Sequence, residues 1–162
     1  MTAPTGEPEP ERGGAHTYRG SVHWEYSPEI DGDPDPGEVV WTWVAYEEDA
    51  RVGKDRPVAI VGRAEDHRLV ALQLSSRDHS GEADWLAIGT GPWDHEGRRS
   101  WLRRDRLLAV PADAVRREGA VLPRATYDSV IAAVATRTRE DPPAQSWTLR
   151  EGFRRILGRP LP

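Results

Sequence analysis

Five polar side chains in this sequence have the types and spacing that chemistry on a phosphate needs. They are an arginine followed by a proline, a pair of serines, and an arginine and an aspartate one residue apart: Arg56, Ser75, Ser76, Arg103 and Asp105. A guanidinium can bind a phosphate through two hydrogen bonds and stabilise charge that develops on it. A carboxylate beside an arginine stays ionised and can accept a proton. These are the groups that phosphodiester cleavage without a metal requires.

Each of these groups also has a structural interpretation. Arg56 can equally well pair on the surface with Glu47, Glu48 or Asp55. A serine pair at the end of a strand more often bonds to the backbone of a turn than it takes part in catalysis. An arginine and an aspartate that alternate on one strand point to the same face, where they can form an ion pair that only stabilises the fold.

Arginines and a tryptophan are interleaved over residues 97–106, which read GRRSWLRRDR. Guanidinium planes and indoles together are typical of surfaces that bind single-stranded RNA, because they supply charge along the backbone and stacking under the bases. We therefore predict an RNA-binding surface, with contacts from Ser75, Arg98, Arg99, Trp101 and Arg104.

The remaining tryptophans divide into two groups. Trp41, Trp43 and Trp85 lie inside strand patterns, which predicts that they belong to the core. Trp93 lies in a loop rich in glycine and proline, where RNA stacking and packing at the edge of the core are equally plausible.

Strands must position these side chains. Residues 36–63 predict a strand at 38–46, an exposed polar loop at 47–56 and a second strand at 57–61. A tight turn at 65–67 leads to a strand at 68–76, and three short strands follow at 85–88, 98–104 and 107–110. Short strands at this spacing indicate a small antiparallel barrel or a curled sheet.

Helical periodicity is confined to the end of the chain. Residues 112–117 predict a short helix after Pro111. Residues 123–139 predict a longer one, whose apolar stripe should pack on the sheet through Tyr127, Val130, Ile131 and Val134. The predicted fold class is therefore mainly β (α+β), a small SH3-like antiparallel barrel with a C-terminal helix.

Charge and composition divide the chain into three segments. The whole chain carries a net charge of −5, but residues 1–36 hold eight acidic and two basic side chains, so the remainder is close to neutral. We predict an acidic, disordered tail at residues 1–35, a folded domain at 36–140, and a C-terminal tail with a short amphipathic helix at 141–162. Within the first segment, residues 18–26 alternate apolar and polar side chains and could instead form an edge strand.

Composition also limits the classes of site. The chain has no cysteine, and its five histidines do not cluster in a metal-ligand pattern, so we expect neither a metal nor another cofactor. No apolar run approaches the roughly 20 residues of a membrane span. The N-terminus lacks the order of a signal peptide, which favours a cytoplasmic protein.

Four motifs in order resemble the MazF/PemK family of bacterial toxin–antitoxin ribonucleases. They are Gly-Glu-Val-Val-Trp from residue 37, Arg-Pro-Val-Ala-Ile-Val from residue 56, the serine pair at 75–76 and Arg-x-Asp at 103–105. The resemblance covers residues 36–139. It implies an SH3-like barrel, a homodimer, a cognate antitoxin, and metal-independent cleavage of single-stranded RNA that inhibits growth.

The resemblance also implies roles for particular residues. Arg56 would hold the scissile phosphate, Ser76 would orient it, Asp105 would act as the base, and Arg103 would stabilise the transition state. His79 lies near the serines but is interpreted as a solvated loop residue.

Two other hypotheses are consistent with the sequence. The barrel could be catalytically silent and bind RNA or a protein partner. Alternatively, the acidic N-terminal segment could fold over the arginine-rich face as a built-in inhibitor, in which case deleting residues 1–34 should raise activity.

Overall fold

The computed structural model describes residues 13–29 and 31–140, and within them strands form where β-branched and aromatic residues dominate. The elements in chain order are β1 (His16–Thr17), β2 (Val22–Trp24), β3 (Glu38–Ala45), β4 (Gly53–Ala64), β5 (Leu69–Ser75), β6 (Trp85–Gly89), β7 (Ser100–Arg103), β8 (Leu108–Val110), a 3-10 helix (Ala112–Ala114), β9 (Arg117–Val121) and α1 (Arg124–Glu140). No helix among the described residues has the length and apolar character needed to cross a membrane.

The strands form one antiparallel sheet around the long strand β4. Its hydrogen-bonded order is β1-β8-β5-β4-β3-β9, while β2 pairs with β4, and β7 pairs with both β5 and β6. This order is not closed by a ladder, although an isolated parallel bridge joins Ala15, before β1, to Val44 in β3. The predicted class, a mainly β fold with one C-terminal helix, is confirmed.

The two faces of the sheet bury different sets of apolar side chains, because successive residues of a strand point to opposite faces. One face buries Ala15, Val40, Val44, Val58, Ile60, Leu69, Ala71, Leu108 and Val110. We call this the inner face. The opposite face packs against α1 through Val39, Ala59, Val61, Val70, Leu72 and Leu74.

Helix α1 packs on the sheet by the stripe that the sequence predicted. Tyr127, Val130 and Val134 are buried, and Ile131 is packed against them. The hydroxyl of Tyr127 donates to the carbonyl of Val61 in β4 at 2.8 Å. The predicted helix at 123–139 is thereby confirmed within one residue at each end.

Part of the predicted polar loop at 47–56 is strand. Lys54, Asp55 and Arg56 belong to β4 and pair with Val44, Trp43 and Thr42 of β3. Polar side chains are tolerated there because this end of the hairpin is open to solvent. The connection is therefore only residues 46–52, closed by a hydrogen bond from the Tyr46 amide to the Val52 carbonyl at 2.8 Å.

The predicted helix at 112–117 is wrong. The helical part of this segment is a single 3-10 turn at Ala112–Ala114. The chain then becomes extended at Val115 and continues into β9. β9 pairs with β3. A weak local helical preference is overridden because β3 would otherwise have an unpaired edge.

The prediction of a disordered segment over residues 1–35 is wrong for residues 13–29. β1 pairs with β8 and β2 with β4, and Val22 is buried. The hydroxyl of Tyr26 donates to the Leu122 carbonyl at 2.7 Å. Of the alternating residues 18–26, Val22–Trp24 form the edge strand β2, which the average composition concealed. The predicted C-terminal tail, residues 141–162, lies outside the described residues.

Candidate active site

The inner face of the sheet changes from apolar to polar at one end, where it opens into a cleft of about 610 Å³. In β4, Arg56 lies two residues before the buried Val58 and therefore on the same face. In β5, Gln73 and Ser75 follow the buried Ala71 by two and four residues and share its face. Gln73 and Val58 are direct partners across the two strands. The polar end of the inner face therefore forms part of the cleft wall, and the strands β4 and β5 hold Arg56, Gln73 and Ser75 there.

Arg56 is half-buried in the cleft, and its guanidinium has no hydrogen bond or ion pair with residues 13–29 or 31–140. Two of the carboxylates that could have neutralised it are engaged elsewhere. Asp55 pairs with Arg116, and Glu47 pairs with Arg103 at 3.1 Å. An arginine on a rigid strand, in a cleft and without a partner, is available to bind an anion.

The two serines lie in the same cleft, at the end of β5. Ser75 is half-buried and Ser76 is exposed. The hydroxyl of Ser75 accepts a hydrogen bond from the Arg77 amide at 3.1 Å, which is the turn contact that a strand-end serine usually makes. A second contact, to His79, is not explained by the turn.

His79 is the site residue that was misjudged from the sequence. It is only 7% exposed, and its ring is stacked on Trp85 with centroids 3.6 Å apart and planes 5° apart. Its Nδ1 lies 2.8 Å from Oε2 of Glu82, and its Nε2 lies 3.1 Å from Oγ of Ser75. The prediction of a solvated loop histidine is therefore wrong. The spacing Ser75, His79, Glu82 within one loop is the only sequence signal of this cluster.

The tryptophans are placed differently from the prediction. Trp41 and Trp85 are half-buried and line the cleft, so they are not core residues. Trp93, by contrast, is 5% exposed, and its indole N–H donates to Oγ of Ser100 at 2.9 Å. For Trp93 the structure thus favours packing over base stacking.

Arg103 and Asp105 form an ion pair beside the cleft and do not line it. The guanidinium of Arg103 donates to both carboxylate oxygens of Asp105, at 2.6 and 3.2 Å. It also donates to Glu47 at 3.1 Å. The hydrogen bond that Arg103 donates to Asp105 is the main cause that raises the pKa of Arg103 further above its ordinary value. This arrangement is the structural ion pair that the sequence left open.

The arginines of the predicted RNA surface differ in their exposure and in their ion-pair partners. Arg98 lines the cleft but pairs with Asp94 at 3.0 Å and Glu96 at 3.3 Å. Arg99 is exposed, and Trp101 is half-buried directly opposite Ser75.

Arg104 connects two parts of the fold by hydrogen bonds. Its guanidinium donates to the carbonyls of Ala83 at 2.8 Å and Ala133 at 3.0 Å, which fastens the loop before β6 to α1. An RNA contact by Arg104 therefore stays a prediction that its hydrogen bonds disfavour.

One carboxylate cluster among the described residues has metal-ligand spacing. Glu29, Asp31 and Asp35 place oxygen atoms within 4.8 Å of one another. Burial, followed by the charge of Asp31, raises the pKa of Asp35 above its ordinary value. None of the three lines the cleft.

Comparison with known proteins gives a family match and a similar solved structure. A family model described as PemK-like, MazF-like toxin of type II toxin–antitoxin system matches residues 35–137. Among solved structures, one titled "Endoribonuclease from Mycobacterial species" is similar, with 20% identity over 67% of this chain and 93% of that chain, and a TM-score of 0.45. No curated protein matches significantly. The family match includes every residue that lines the cleft.

Proposed function

We propose that this chain, which belongs to the family of PemK-like, MazF-like toxins of type II toxin–antitoxin systems, is an endoribonuclease toxin. It cleaves single-stranded RNA, including mRNA, in the cytoplasm without a metal ion, and thereby inhibits growth. The observation that carries the proposal is the guanidinium of Arg56, which has no partner in the described part of the chain and lies in a polar cleft together with the hydroxyls of Ser75 and Ser76.

The chemistry proposed is internal transesterification. The 2′-oxygen of a nucleotide attacks the adjacent phosphorus, the bond to the 5′-oxygen breaks, and the products carry 2′,3′-cyclic phosphate and 5′-hydroxyl ends. Negative charge grows on the non-bridging phosphate oxygens as the 2′-oxygen attacks. Arg56 is proposed to stabilise this charge, because no described carboxylate competes for its guanidinium. Ser76 is proposed to orient the phosphate.

The role of Asp105 as base and that of Arg103 as stabiliser stay predictions. The carboxylate of Asp105 already accepts two hydrogen bonds from Arg103, and neither residue lines the cleft. Both could act only if RNA binding displaced this ion pair, so the geometry favours a supporting role beside the site.

RNA binding is proposed to extend from the cleft along the outside of β7. Arg98, Arg99 and Trp101 provide charge and a stacking surface there. Trp41 and Trp85 add two indoles inside the cleft. Because Arg98 is paired with Asp94, a phosphate must exchange for that carboxylate, which reduces its net contribution to binding.

Two partners besides RNA are proposed from the family assignment. The first is a second copy of this chain, in a homodimer. The second is a cognate antitoxin, whose acidic and disordered segment would cover the cleft and pair with Arg56, as acidic motifs do with arginine clusters.

Inducible expression followed by mapping of RNA 5′ ends tests the function directly. We expect growth to stop and new 5′-hydroxyl ends to accumulate at a short preferred sequence, compared with an empty vector. Intact growth and intact RNA, beside a folded protein in the same cells, would contradict the proposal. That result would favour a catalytically silent binding module.

A further inference from the structure

We infer that Ser75, His79 and Glu82 form a proton relay that removes the proton from the attacking 2′-hydroxyl. The inference rests on the proposed ribonuclease function and assigns its base. It replaces the sequence-based choice of Asp105, whose carboxylate is held by Arg103 outside the cleft.

The hydrogen bonds determine the direction of the relay. A carboxylate can only accept a hydrogen bond, so Nδ1 of His79 carries the proton that is shared with Glu82 at 2.8 Å. In the neutral ring, Nε2 is then an acceptor. The group within reach of Nε2 is the Ser75 hydroxyl, at 3.1 Å, which therefore donates its proton to His79. This is the order of groups found in serine–histidine–carboxylate triads.

Ser75 retains capacity to bind the substrate. Its oxygen accepts one hydrogen bond, from the Arg77 amide at 3.1 Å. A hydroxyl oxygen has two lone pairs, so the second can accept a proton from a ribose hydroxyl that enters the cleft. Arg56, which lines the same cleft, would hold the phosphate next to that ribose.

Packing holds the imidazole in place. The ring is stacked on Trp85, and the edge of Trp101 lies near it, with the ring centroids 6.3 Å apart. One stacked indole, a second indole at a steep angle to the ring, and a hydrogen bond at each nitrogen fix the ring orientation, as is required of a base that must not reorganise during the reaction.

The step balances as follows. The 2′-hydroxyl gives its proton to Oγ of Ser75 while the proton of Ser75 moves to Nε2 of His79. The bond from the 2′-oxygen to phosphorus forms, the bond from phosphorus to the 5′-oxygen breaks, and a water molecule protonates the departing 5′-oxygen. The imidazolium is stabilised by Glu82 and returns its proton to solvent, which neutralises the hydroxide left by that water.

Several charged groups lie around His79 and can themselves make the cleavage rate depend on pH. Those on its own loop, on β4 and on the loop of residues 90–99 are Asp78, Glu82, Lys54, Asp55, Arg56, Arg77, Asp94, His95, Glu96 and Arg98. A pH dependence is therefore attributable to His79 only if substitution of His79 removes it.

The first test replaces the ring nitrogens and keeps the ring. His79→Phe retains an aromatic ring against Trp85 but cannot accept a proton, and we expect cleavage of a single-stranded RNA to slow about 100-fold or more, since this is what a general base contributes. His23→Phe is the matched control, because His23 is exposed on β2, away from the cleft, and its rate should not change. Glu82→Gln should cause a smaller loss. If His79→Phe shifts the thermal midpoint, His79→Gln replaces it.

The second test separates proton transfer from a structural role. The wild-type rate should rise with pH as the imidazole loses its proton and then level off, because the neutral ring is the active form. This acidic limb should be absent in His79→Phe. With a substrate whose 5′-bridging oxygen is sulphur, the leaving group needs no proton, so the loss in His79→Phe should persist.

The outcomes distinguish the inference from the function on which it rests. If the wild-type protein cleaves RNA and His79→Phe cleaves at the same rate, or keeps the acidic limb, the relay is wrong and the ribonuclease function stands. Rescue of His79→Phe by the sulphur substrate would also overturn the relay, because it would make His79 an acid. If folded wild-type protein does not cleave RNA, both proposals fail.

Discussion

At the scale of single residues, the partners of an arginine determine what it can do. Arg56 lies in the cleft with no carboxylate on its guanidinium among the described residues. Arg103 is held by Asp105 and Glu47. To bind a phosphate, Arg103 would have to give up two charge-assisted contacts, whereas Arg56 has no such contact among the described residues. We therefore propose that Arg56 rather than Arg103 binds the phosphate.

Arg103→Ala tests this difference. Its removal leaves Asp105 and Glu47 without their shared cation, so we expect a loss of about 1 kcal/mol in the free energy of unfolding and a modest fall in the cleavage rate. Chemical denaturation and a cleavage assay measure the two effects. Arg51→Ala, which removes a more exposed pair with Asp49, is the control for stability. Complete loss of cleavage at unchanged stability would instead restore the catalytic role predicted from the sequence.

The sequence predicts the positions of Arg56 and of the two serines in the site for a physical reason. Arg56 and the serines follow strand patterns, so alternation alone places them at the ends of neighbouring strands. His79 was missed because its environment is made by Trp85 of β6 and Trp101 of β7, which come together beside it only when β7 pairs with both β5 and β6. A histidine in a polar loop carries no local signal of such packing.

At the scale of elements, β4 connects the core to the site. Its C-terminal half pairs with β5 and β2, and its N-terminal half pairs with β3 and carries Arg56 into the cleft. One glycine in β4 has a steric role, since a Cβ at Gly62 would collide with the carbonyl of His23 in β2. The docking of β2 therefore depends on that position.

Tyr127 in helix α1 should make the stability of the fold depend on pH. Burial raises the pKa of Tyr127 from its ordinary value near 10 to about 12, because the phenolate would be desolvated. The folded state thus favours the neutral phenol, so this contribution is fully present below about pH 10 and is lost as the pH rises towards about 12.

Tyr127→Phe should remove that dependence. At neutral pH the variant should lose about 1 kcal/mol, since the hydrogen bond to the Val61 carbonyl disappears. Between about pH 10 and 12 the wild-type protein should lose more stability than the variant. Urea unfolding at several pH values measures both. Parallel curves for the two proteins across this window would contradict the assigned role of Tyr127.

Elements with a strong pattern were predicted well, and those that depend on a distant partner were not. The stripe of α1 is visible in the sequence because it repeats over a helical period. The sequence does not predict β9, and the helix predicted at 112–117 runs up to its first residue, because the reason for this segment to be extended is the edge of β3, about 80 residues earlier. Residues 53–56 resemble a loop in the sequence because polar side chains at an open sheet end look like a turn.

At the scale of the whole molecule, the N-terminal segment is part of the sheet. Ala15 is completely buried and bridges to Val44, and Val22 is 8% exposed. Arg106 joins this segment to β3, donating to Thr17 and to the Ala45 carbonyl, both at 2.8 Å. A deletion of residues 1–34, intended to release an inhibitory tail, would therefore also remove two strands.

We expect that deletion to unfold the domain or lower its stability severely. Removing Val22 and the partly buried Trp24 and Tyr26 should cost at least about 3 kcal/mol, at roughly 1.5–3 kcal/mol for each buried side chain. Thermal unfolding should compare this variant with one that lacks only residues 1–12, so that the difference reports residues 13–34. Equal midpoints for the two deletions would show that β1 and β2 do not stabilise the fold.

We propose above all that Arg56 holds the scissile phosphate during metal-independent RNA cleavage. The most direct measurement is the cleavage rate of purified wild-type protein and Arg56→Ala on a single-stranded RNA with a metal chelator present, together with identification of the new ends. We predict 2′,3′-cyclic phosphate and 5′-hydroxyl products from the wild type, and a rate at least about 100-fold lower for Arg56→Ala at an unchanged thermal midpoint. Arg68→Ala, at the opposite end of the sheet, should cleave like the wild type. An unchanged rate in folded Arg56→Ala would contradict the account.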